Sequence, residues 1–457
     1  MNDITAFSAF LKYCLGYKEN MSKIVAGMDW QELYSFASKQ ALLGLCFEGI
    51  ERLGKEYPEE LKQNPIGREL LMTWMGKAQQ IRRQNMKVNA VASKLFSMLR
   101  EDGMRCCVLK GQGNALMYPN PYSRTPGDID VWIDASRERI MEYAQKKFEL
   151  GDDIRLQHLE TSLYGVPVEL HFFPCSMNNP IYHARLQKWF RRYADLQCSH
   201  IVGLPDGAGD IAIPTMAFNV VYQLTHLYHH FFDEGIGMRQ IIDYFLVVND
   251  FSKNVFLDNK SSKITPSLFT LKEGSTSHPD PLTLRGEGEN RPTRCSEPLR
   301  SKDGGPSKVS PDCAGWDRRG VSGDIASDAS VSSAFTTDSS ASTALVVVQR
   351  ELKYLGLWKF AGAVMYVLHE ALGLSEEKMI APMDEKRGKL LLAEILDGGN
   401  FGRHFTKYAG FTHQSMGKKY FLKIWRNMHF VRCYPAEALS EPIFRTWHFF
   451  WRVKNKK

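Results

Sequence analysis

A short stretch of alternating polar and apolar residues, 128–133, constrains the fold more than any other part of this mostly helical sequence. Asp128 and Asp130 alternate there with Ile129 and Val131. Side chains two residues apart on a β-strand point to the same face, so the pattern predicts a strand with both carboxylates on one side. Ile129 and Val131 would anchor the other side in a core. The chain must therefore build a small sheet within a largely helical fold.

A second alternating stretch, residues 166–171, predicts another strand of that sheet. Val168 and Leu170 would face the core, and Glu169 and His171 would face the opposite way. If the two strands are neighbours, Glu169 lies beside the aspartates. The sequence thus offers a third carboxylate for the same face.

Upstream, residues 108–113 are typical of a strand that runs into a glycine turn. The backbone N–H groups of such a turn, at Gly111 and Gln112, can bind phosphate, and Lys110 supplies a cation at the same place. Arg124, in the following loop, can contact phosphate through both arms of its guanidinium. We predict these four residues as nucleotide-binding, with ordinary surface roles for Lys110 and Arg124 as the alternative.

The three carboxylates, Asp128, Asp130 and Glu169, suit chemistry on a phosphate only if cations neutralise them. Mg²⁺ takes oxygen ligands, usually one or two carboxylates together with phosphate and water. Two such ions about 4 Å apart can stabilise both the attacking and the leaving oxygen of a transfer reaction. We therefore predict these residues as catalytic and as ligands of two Mg²⁺ ions. The alternative is a set of surface carboxylates on an edge strand, but aspartate is disfavoured in strands.

These residues resemble the active site of the nucleotidyltransferase superfamily related to DNA polymerase β. Its pattern is an apolar residue, glycine and a small polar residue, then a gap, Asp-apolar-Asp, and an acidic residue on a later strand. More narrowly, LKGQGNALMYPNPYSRTPGDIDVWI and VELHF are similar to a poorly characterised bacterial nucleotidyltransferase-like family. The close resemblance covers about residues 104–175. Gln112 stands where the superfamily has serine or threonine.

The resemblance implies roles and a reaction. Metal ligation falls on Asp128 and Asp130, and Glu169 would be the third ligand or the general base. The implied reaction is Mg²⁺-dependent transfer of a nucleoside monophosphate, with AMP favoured, from an NTP, with ATP favoured, to an unidentified acceptor. Two alternatives stay open. One is an inactive nucleotide- or partner-binding module, which Gln112 favours, and the other is an RNA-directed nucleotidyltransferase that uses the basic aromatic tail, residues 420–457.

Hydrophobic periodicity predicts an α+β fold in which a small mixed sheet is flanked by helical regions. An N-terminal helical region (1–103) precedes the nucleotidyltransferase core (104–205), a helical region on the substrate side (206–251) follows, and a C-terminal helical region (343–457) ends the chain. Residues 252–342 are rich in Ser, Gly, Pro, Asp and Thr without an apolar period. That composition predicts a disordered insert.

Two features of the helical regions are specific enough to test. Residues 30–53 carry a continuous helical pattern and are predicted as one helix. In the tail, Pro435 and Pro442 are expected to interrupt any single helix. We expect the aromatic residues of the tail to pack into a core rather than to stack on bases or lie on a membrane surface.

Several other polar residues are weaker candidates. Three histidines recur at helical spacing: His226, His229 and His230. They could bind a metal, but we favour a polar helix face that lines the cleft. His158 could approach the carboxylates from a predicted hairpin, although a structural role is commoner. Arg239 and Asp243, four residues apart, are expected to form a structural pair on one helix.

Composition and targeting signals bear on location. The net charge of +7 suits a phosphate-bearing ligand without requiring nucleic acid. None of the nine cysteines forms a C-x-x-C pair, which argues against a zinc ribbon and fits a reducing compartment. The N-terminus lacks a signal-peptide pattern, and no uninterrupted apolar stretch reaches about 18 residues. We therefore expect a cytoplasmic protein.

Overall fold

The computed structural model describes residues 2–257, 341–404 and 416–455. The predicted disordered insert, 252–342, falls almost entirely outside these residues. The described part combines many helices with a small mixed sheet, which confirms the predicted α+β class. Across the described ranges, no helix combines the length and the apolar character that a membrane span requires.

The helices that precede the main sheet are α1 (Asn2–Cys14), α2 (Ser22–Ala26), α3 (Trp30–Lys39), α4 (Leu43–Glu56), α5 (Pro58–Gln63) and α6 (Arg68–Glu101). The predicted single helix over 30–53 is wrong, because Ala41 adopts a φ of +57° between α3 and α4. The reason is tertiary. Buried Gln40 donates to the carbonyl of Ile395 (3.1 Å) and accepts from the amide of Met238 (2.8 Å). These hydrogen bonds to distant residues stabilise the break between α3 and α4, where the sequence has no glycine or proline.

Five strands form the main sheet: β1 (Cys106–Leu109), β2 (Ile129–Ile133), β3 (Leu150–Ile154), β4 (His158–Leu163) and β5 (Val166–His171). Their order across the sheet is β1-β2-β5-β4-β3. The central pair, β2 and β5, is parallel, and the other neighbours are antiparallel. The crossover between the central strands includes α8 (Arg137–Lys147), and the short helix α7 (Gly111–Ala115) follows β1. The two strands predicted to carry carboxylates are therefore direct neighbours.

The two faces of the sheet meet different surroundings. Ile129, Val131 and Val168 belong to an apolar cluster with residues of α6 and α8. On the opposite face, Trp132 belongs to the larger helical core, where its ring stacks on that of Phe218 with centroids 6.2 Å apart. The alternation read from the sequence thus separates one wholly apolar face from one that is apolar at one end and polar at the other.

After the sheet come α9 (Pro180–Ser199), a two-stranded sheet of β6 (Ile201–Gly203) and β7 (Asp210–Ala212), then α10 (Met216–Asp233) and α11 (Met238–Leu257). The sequence analysis did not predict α9. Its N-terminus is capped by Asn179, whose side chain accepts from two backbone amides of the first turn. Trp189 and Phe190 bury its apolar face. Together with α10, this helix covers the apolar end of the sheet.

The C-terminal helices are α12 (Ala341–Tyr354), α13 (Trp358–Leu372), α14 (Glu385–Gly398), α15 (Met416–Met428) and α16 (Pro435–Asn455). Pro435 begins α16 as predicted, but Pro442 lies inside that helix, so the expected interruption there is wrong. A proline in a helix interior costs about 3 kcal/mol. Anchors on both sides offset it: Glu437 accepts from the amide of Asn178 (2.6 Å), and Arg445 donates to Asp233 (3.0 Å).

The aromatic residues of the tail are mostly exposed, contrary to the expectation that they pack into a core. Phe430 is buried, but Trp447, Phe449 and Phe450 are 50%, 51% and 64% exposed. The reason is spacing. Aromatic residues in the second half of α16 occur on all sides of the helix, so packing of one side against the described residues cannot bury them all.

Candidate metal and nucleotide site

The register of the central strands brings the predicted carboxylates together. Asp130 on β2 pairs directly with Glu169 on the parallel strand β5. Asp128 immediately precedes β2, two residues from Asp130. All three occupy the polar end of the sheet face that is opposite the α6 and α8 cluster.

Asp130 is the buried centre of this group, with 6% of its surface exposed. One of its oxygens, Oδ1, lies 3.1 Å from Lys110 Nζ and 3.0 Å from His171 Nε2. Burial alone would raise the pKa of Asp130, but the charge of Lys110 and the hydrogen bond from His171 outweigh it and hold the pKa well below its usual range. Asp130 is thus fully ionised in the folded protein.

Asp128 behaves in the opposite way. The negative charge of Asp130, assisted by desolvation and by the charge of Glu169, raises the pKa of Asp128 from 3.8 to about 6. The charge of Lys110 offsets this rise only in part, and a divalent cation between the two carboxylates would lower the pKa of Asp128 further. The donor set is all oxygen, and Asp128 is accessible to solvent. These features fit a hard divalent ion such as Mg²⁺.

Two histidines lie on the same sheet face. His171 is buried, and its Nε2 lies 3.2 Å from Glu169 Oε2 as well as close to Asp130. Burial would lower the pKa of His171, but hydrogen bonds to Asp130 and Glu169 raise it to about 9. His158 on β4 pairs with His171 in register, and its Nδ1 lies 3.3 Å from Glu169 Oε2. Burial lowers the pKa of His158 to about 4, so this ring is neutral.

Lys110 lies in a strained turn between β1 and α7. Its φ of +53° is uncommon for a residue with a side chain, and such strain concentrates at functional sites. Besides Asp130, Lys110 Nζ contacts His226 Nε2 at 2.7 Å. His230 Nε2 in turn lies 2.9 Å from His226 Nε2. Burial, followed by the charge of Lys110, lowers the pKa of His226 well below its usual range. A neutral His226 can therefore accept a hydrogen bond from the lysine.

A cleft opens next to Asp128 and Asp130, between the Lys110 turn and helices α10 and α11. Its volume is about 60 Å³, and Phe401 lines one side. Pockets for whole ligands of nucleotide size are usually about 300 Å³ or more. In this conformation the cleft therefore has room for ions, water or one phosphate group. His226 lines it, which agrees with a polar helix face.

Like Lys110, the other two predicted nucleotide-binding side chains, Arg124 and Gln112, have partners within the protein. Arg124 is buried, and its Nε and Nη2 donate to the two oxygens of Asp243 at 2.9 and 2.7 Å. Gln112 is also buried, and its amide donates to Asn89 on α6. Asp243 therefore pairs with Arg124 and not with Arg239 as the sequence suggested. Lys110, Gly111 and Arg124 all line the cleft.

The structure also brings in residues that the sequence analysis missed. Asn114 and Gln223 exchange two amide hydrogen bonds at the cleft wall, at 3.0 and 2.7 Å. Arg239, which the sequence analysis assigned to a structural pair, instead donates to the carbonyl of Thr125 (3.1 Å) and lies over the Phe401 ring at 5.4 Å. Nothing in the sequence indicated that the turn containing Phe401 reaches the cleft.

Comparison with known proteins gives one finding. The model of a family described as uncharacterised nucleotidyltransferase matches residues 26–265, which is more than half of the chain. No curated protein and no solved structure matches the chain. The matched stretch contains the Lys110 turn, the three carboxylates and both histidines of the sheet. The chain belongs to the uncharacterised nucleotidyltransferase family.

Proposed function

We propose that this protein is a Mg²⁺-dependent enzyme that transfers a nucleoside monophosphate, AMP, from ATP to a hydroxyl group of an acceptor. The observation that carries the proposal is the convergence of three carboxylates on one sheet face: Asp130 pairs in register with Glu169, and Asp128 lies two residues away, beside a cleft that Lys110 also lines. Carboxylates that share one face in this way are typical of sites that bind divalent metal ions for phosphate chemistry.

In the reaction, the acceptor oxygen forms a bond to the α-phosphorus of ATP while the bond to pyrophosphate breaks. Mg²⁺, held by Asp128, Asp130 and Glu169, would supply Lewis-acid stabilisation of the phosphate oxygens. Lys110, on the cleft wall, is placed to neutralise charge on the departing pyrophosphate. Glu169 would take the proton of the acceptor hydroxyl, and His171, hydrogen-bonded to it, would keep the carboxylate in position.

Nucleotide binding requires a wider cleft than the present one, which measures about 60 Å³. Phe401 is the lining residue best placed to move. It lies in a short 3₁₀ turn between Gly399 and Gly402, both at positive φ. Displacing this turn would widen the cleft without moving any strand of the sheet, because the turn lies outside the strands.

The test is calorimetric titration with a non-hydrolysable ATP analogue, with and without Mg²⁺. We expect binding that depends on Mg²⁺ in the wild type and is lost in Asp128→Asn. Asp134→Asn is the matched control, since Asp134 follows the other end of β2 and pairs with Arg105. This variant should bind like the wild type. Absence of binding in both conditions contradicts the proposal.

One observation favours a second function, a nucleotide-binding module without catalysis. The side chain of Gln112 is engaged with Asn89, and Lys110 is held between Asp130 and His226. Neither contact needs a reacting substrate. Release of labelled pyrophosphate from ATP across a screen of hydroxyl acceptors supports the enzyme. Mg²⁺-dependent binding without any release across that screen favours the module.

A further inference from the structure

His158, Glu169 and His171 converge at one point on the sheet face, beside the proposed magnesium site. Glu169 and His171 are two residues apart on β5, and His158 lies opposite His171 on β4. One ligand atom from each lies within 4.8 Å of the other two. Glu169 Oε2 lies 3.3 Å from His158 Nδ1 and 3.2 Å from His171 Nε2. These separations allow one ion to contact the carboxylate and either ring, because metal–ligand bonds to imidazole and carboxylate are about 2.0–2.2 Å.

His158 gives an independent reason to place an ion there. Only 8% of the residue is exposed, and among the described residues neither ring nitrogen has a hydrogen-bond partner. Its Nδ1 lies 3.3 Å from Glu169 Oε2 without forming a hydrogen bond to it. A buried polar group without a partner costs about 1–3 kcal/mol. A cation between the ring and the carboxylate would remove that cost.

The donor set differs from that of the aspartate pair. Mg²⁺ takes oxygen ligands, whereas imidazole suits zinc and other transition metals. Two histidines and one carboxylate are a common ligand set for zinc in sites that keep a further position open. We propose that His158, Glu169 and His171 bind a transition-metal dication of the zinc class next to the Mg²⁺ held by Asp128 and Asp130.

The inference rests on the proposed function in one respect, because Glu169 serves both sites and the transition metal would be the second of the two ions. Asp130 lies between the sites, with Oδ1 3.0 Å from His171 Nε2. Binding through that nitrogen releases to solvent the proton that His171 shares with the carboxylates. On its other side, His171 Nδ1 lies 3.3 Å from the amide nitrogen of Gln157, which holds the ring in place.

The test is titration of the EDTA-treated full chain with Zn²⁺ in excess Mg²⁺, followed by calorimetry and by metal analysis after gel filtration. Co²⁺ serves as a spectroscopic probe, since nitrogen ligation changes its visible absorption. We expect one tightly bound equivalent in the wild type and a loss of affinity of about 10-fold or more in His158→Ala and His171→Ala. His429→Ala, which removes an exposed ring outside the cluster, should bind like the wild type.

Because His158 is buried, His158→Gln provides a second variant that retains a polar side chain of similar reach. Circular dichroism shows which variants are folded. Undiminished Zn²⁺ binding in folded variants of His158 and His171, or no Zn²⁺ binding by the wild type, overturns the inference. Asp128→Asn separates the two proposals, since it should keep Zn²⁺ and lose Mg²⁺-dependent nucleotide binding. If the wild type binds Zn²⁺ but no nucleotide, the proposed function is contradicted while the inferred transition-metal site stands.

Discussion

Asp128→Asn removes a negative charge from the most crowded part of the sheet while preserving the size of the side chain. The charge of Asp130, desolvation and the charge of Glu169 together raise the pKa of Asp128 to about 6. The folded protein therefore holds the Asp128 proton more tightly than the unfolded chain does. Ionisation of Asp128 at neutral pH is a destabilising event, and the amide avoids it.

The magnitude follows from the pKa and the exposure. A rise from 3.8 to about 6 corresponds to about 3 kcal/mol if the site were sealed from water. Asp128 is exposed, and solvent screens its interactions, so we expect about 1 kcal/mol. For a chain of this length, that gain corresponds to a rise in Tm of about 1–2 °C. The gain should be complete above pH 6 and should vanish as the pH falls toward 3.8.

Thermal unfolding in EDTA, followed by fluorescence at several pH values, measures this gain. A second series with Mg²⁺ measures the stabilisation that the metal adds to the wild type, which Asp128→Asn should lose. Asp134→Asn is again the control and should show no gain without metal and a normal response to Mg²⁺. A Tm of Asp128→Asn at or below that of the wild type, in EDTA and well above pH 6, refutes the charge-crowding argument.

Two further substitutions test the walls of the cleft. Arg124→Met leaves the buried carboxylate of Asp243 without its bidentate partner. Urea titrations should show that the free energy of unfolding falls by about 3 kcal/mol. A loss below about 1 kcal/mol would contradict the pairing. Gly237→Ala would place a methyl group 2.7 Å from the backbone of Asn400, so we expect the free energy of unfolding to fall by about 1–3 kcal/mol. Gly54→Ala is the control, because the space around Gly54 is open, and it should be neutral or slightly stabilising. Equal stabilities of the two glycine variants would argue against a tight contact at Gly237.

The sheet and its polar face could be predicted because their signals are local. Alternation in two short stretches indicated both strands, and the side of each strand that carries Asp130 and Glu169 followed from a period of two. The sequence also placed Lys110 at the end of a strand. None of these inferences needed knowledge of distant residues, and the family comparison agrees with the resemblance that they support.

The remaining features depend on partners far away in the chain. Arg124 carries no sign that Asp243, 119 residues later, occupies its guanidinium. The break at Ala41 is held by tertiary hydrogen bonds of Gln40, and no turn-forming residue marks it. Phe401 reaches the cleft because its turn packs against both α11 and α14, two helices from distant parts of the chain. In each case contacts between residues far apart in the sequence determine the local structure. Hydrophobic periodicity, which is a local property of the sequence, cannot reveal such contacts.

Helix α13 contributes to the apolar core of the matched family segment although it lies outside that segment. Residues of this helix, including Phe360 and Leu368, are buried in the same core as Phe231 and Phe232 of α10. All of α13 lies beyond residue 265, where the family match ends. A chain that stopped there would lack these residues and would expose the apolar surface of α10 that α13 covers, so we expect it to aggregate. The C-terminal helices therefore complete the core that holds α10, the helix that carries His226 at the cleft.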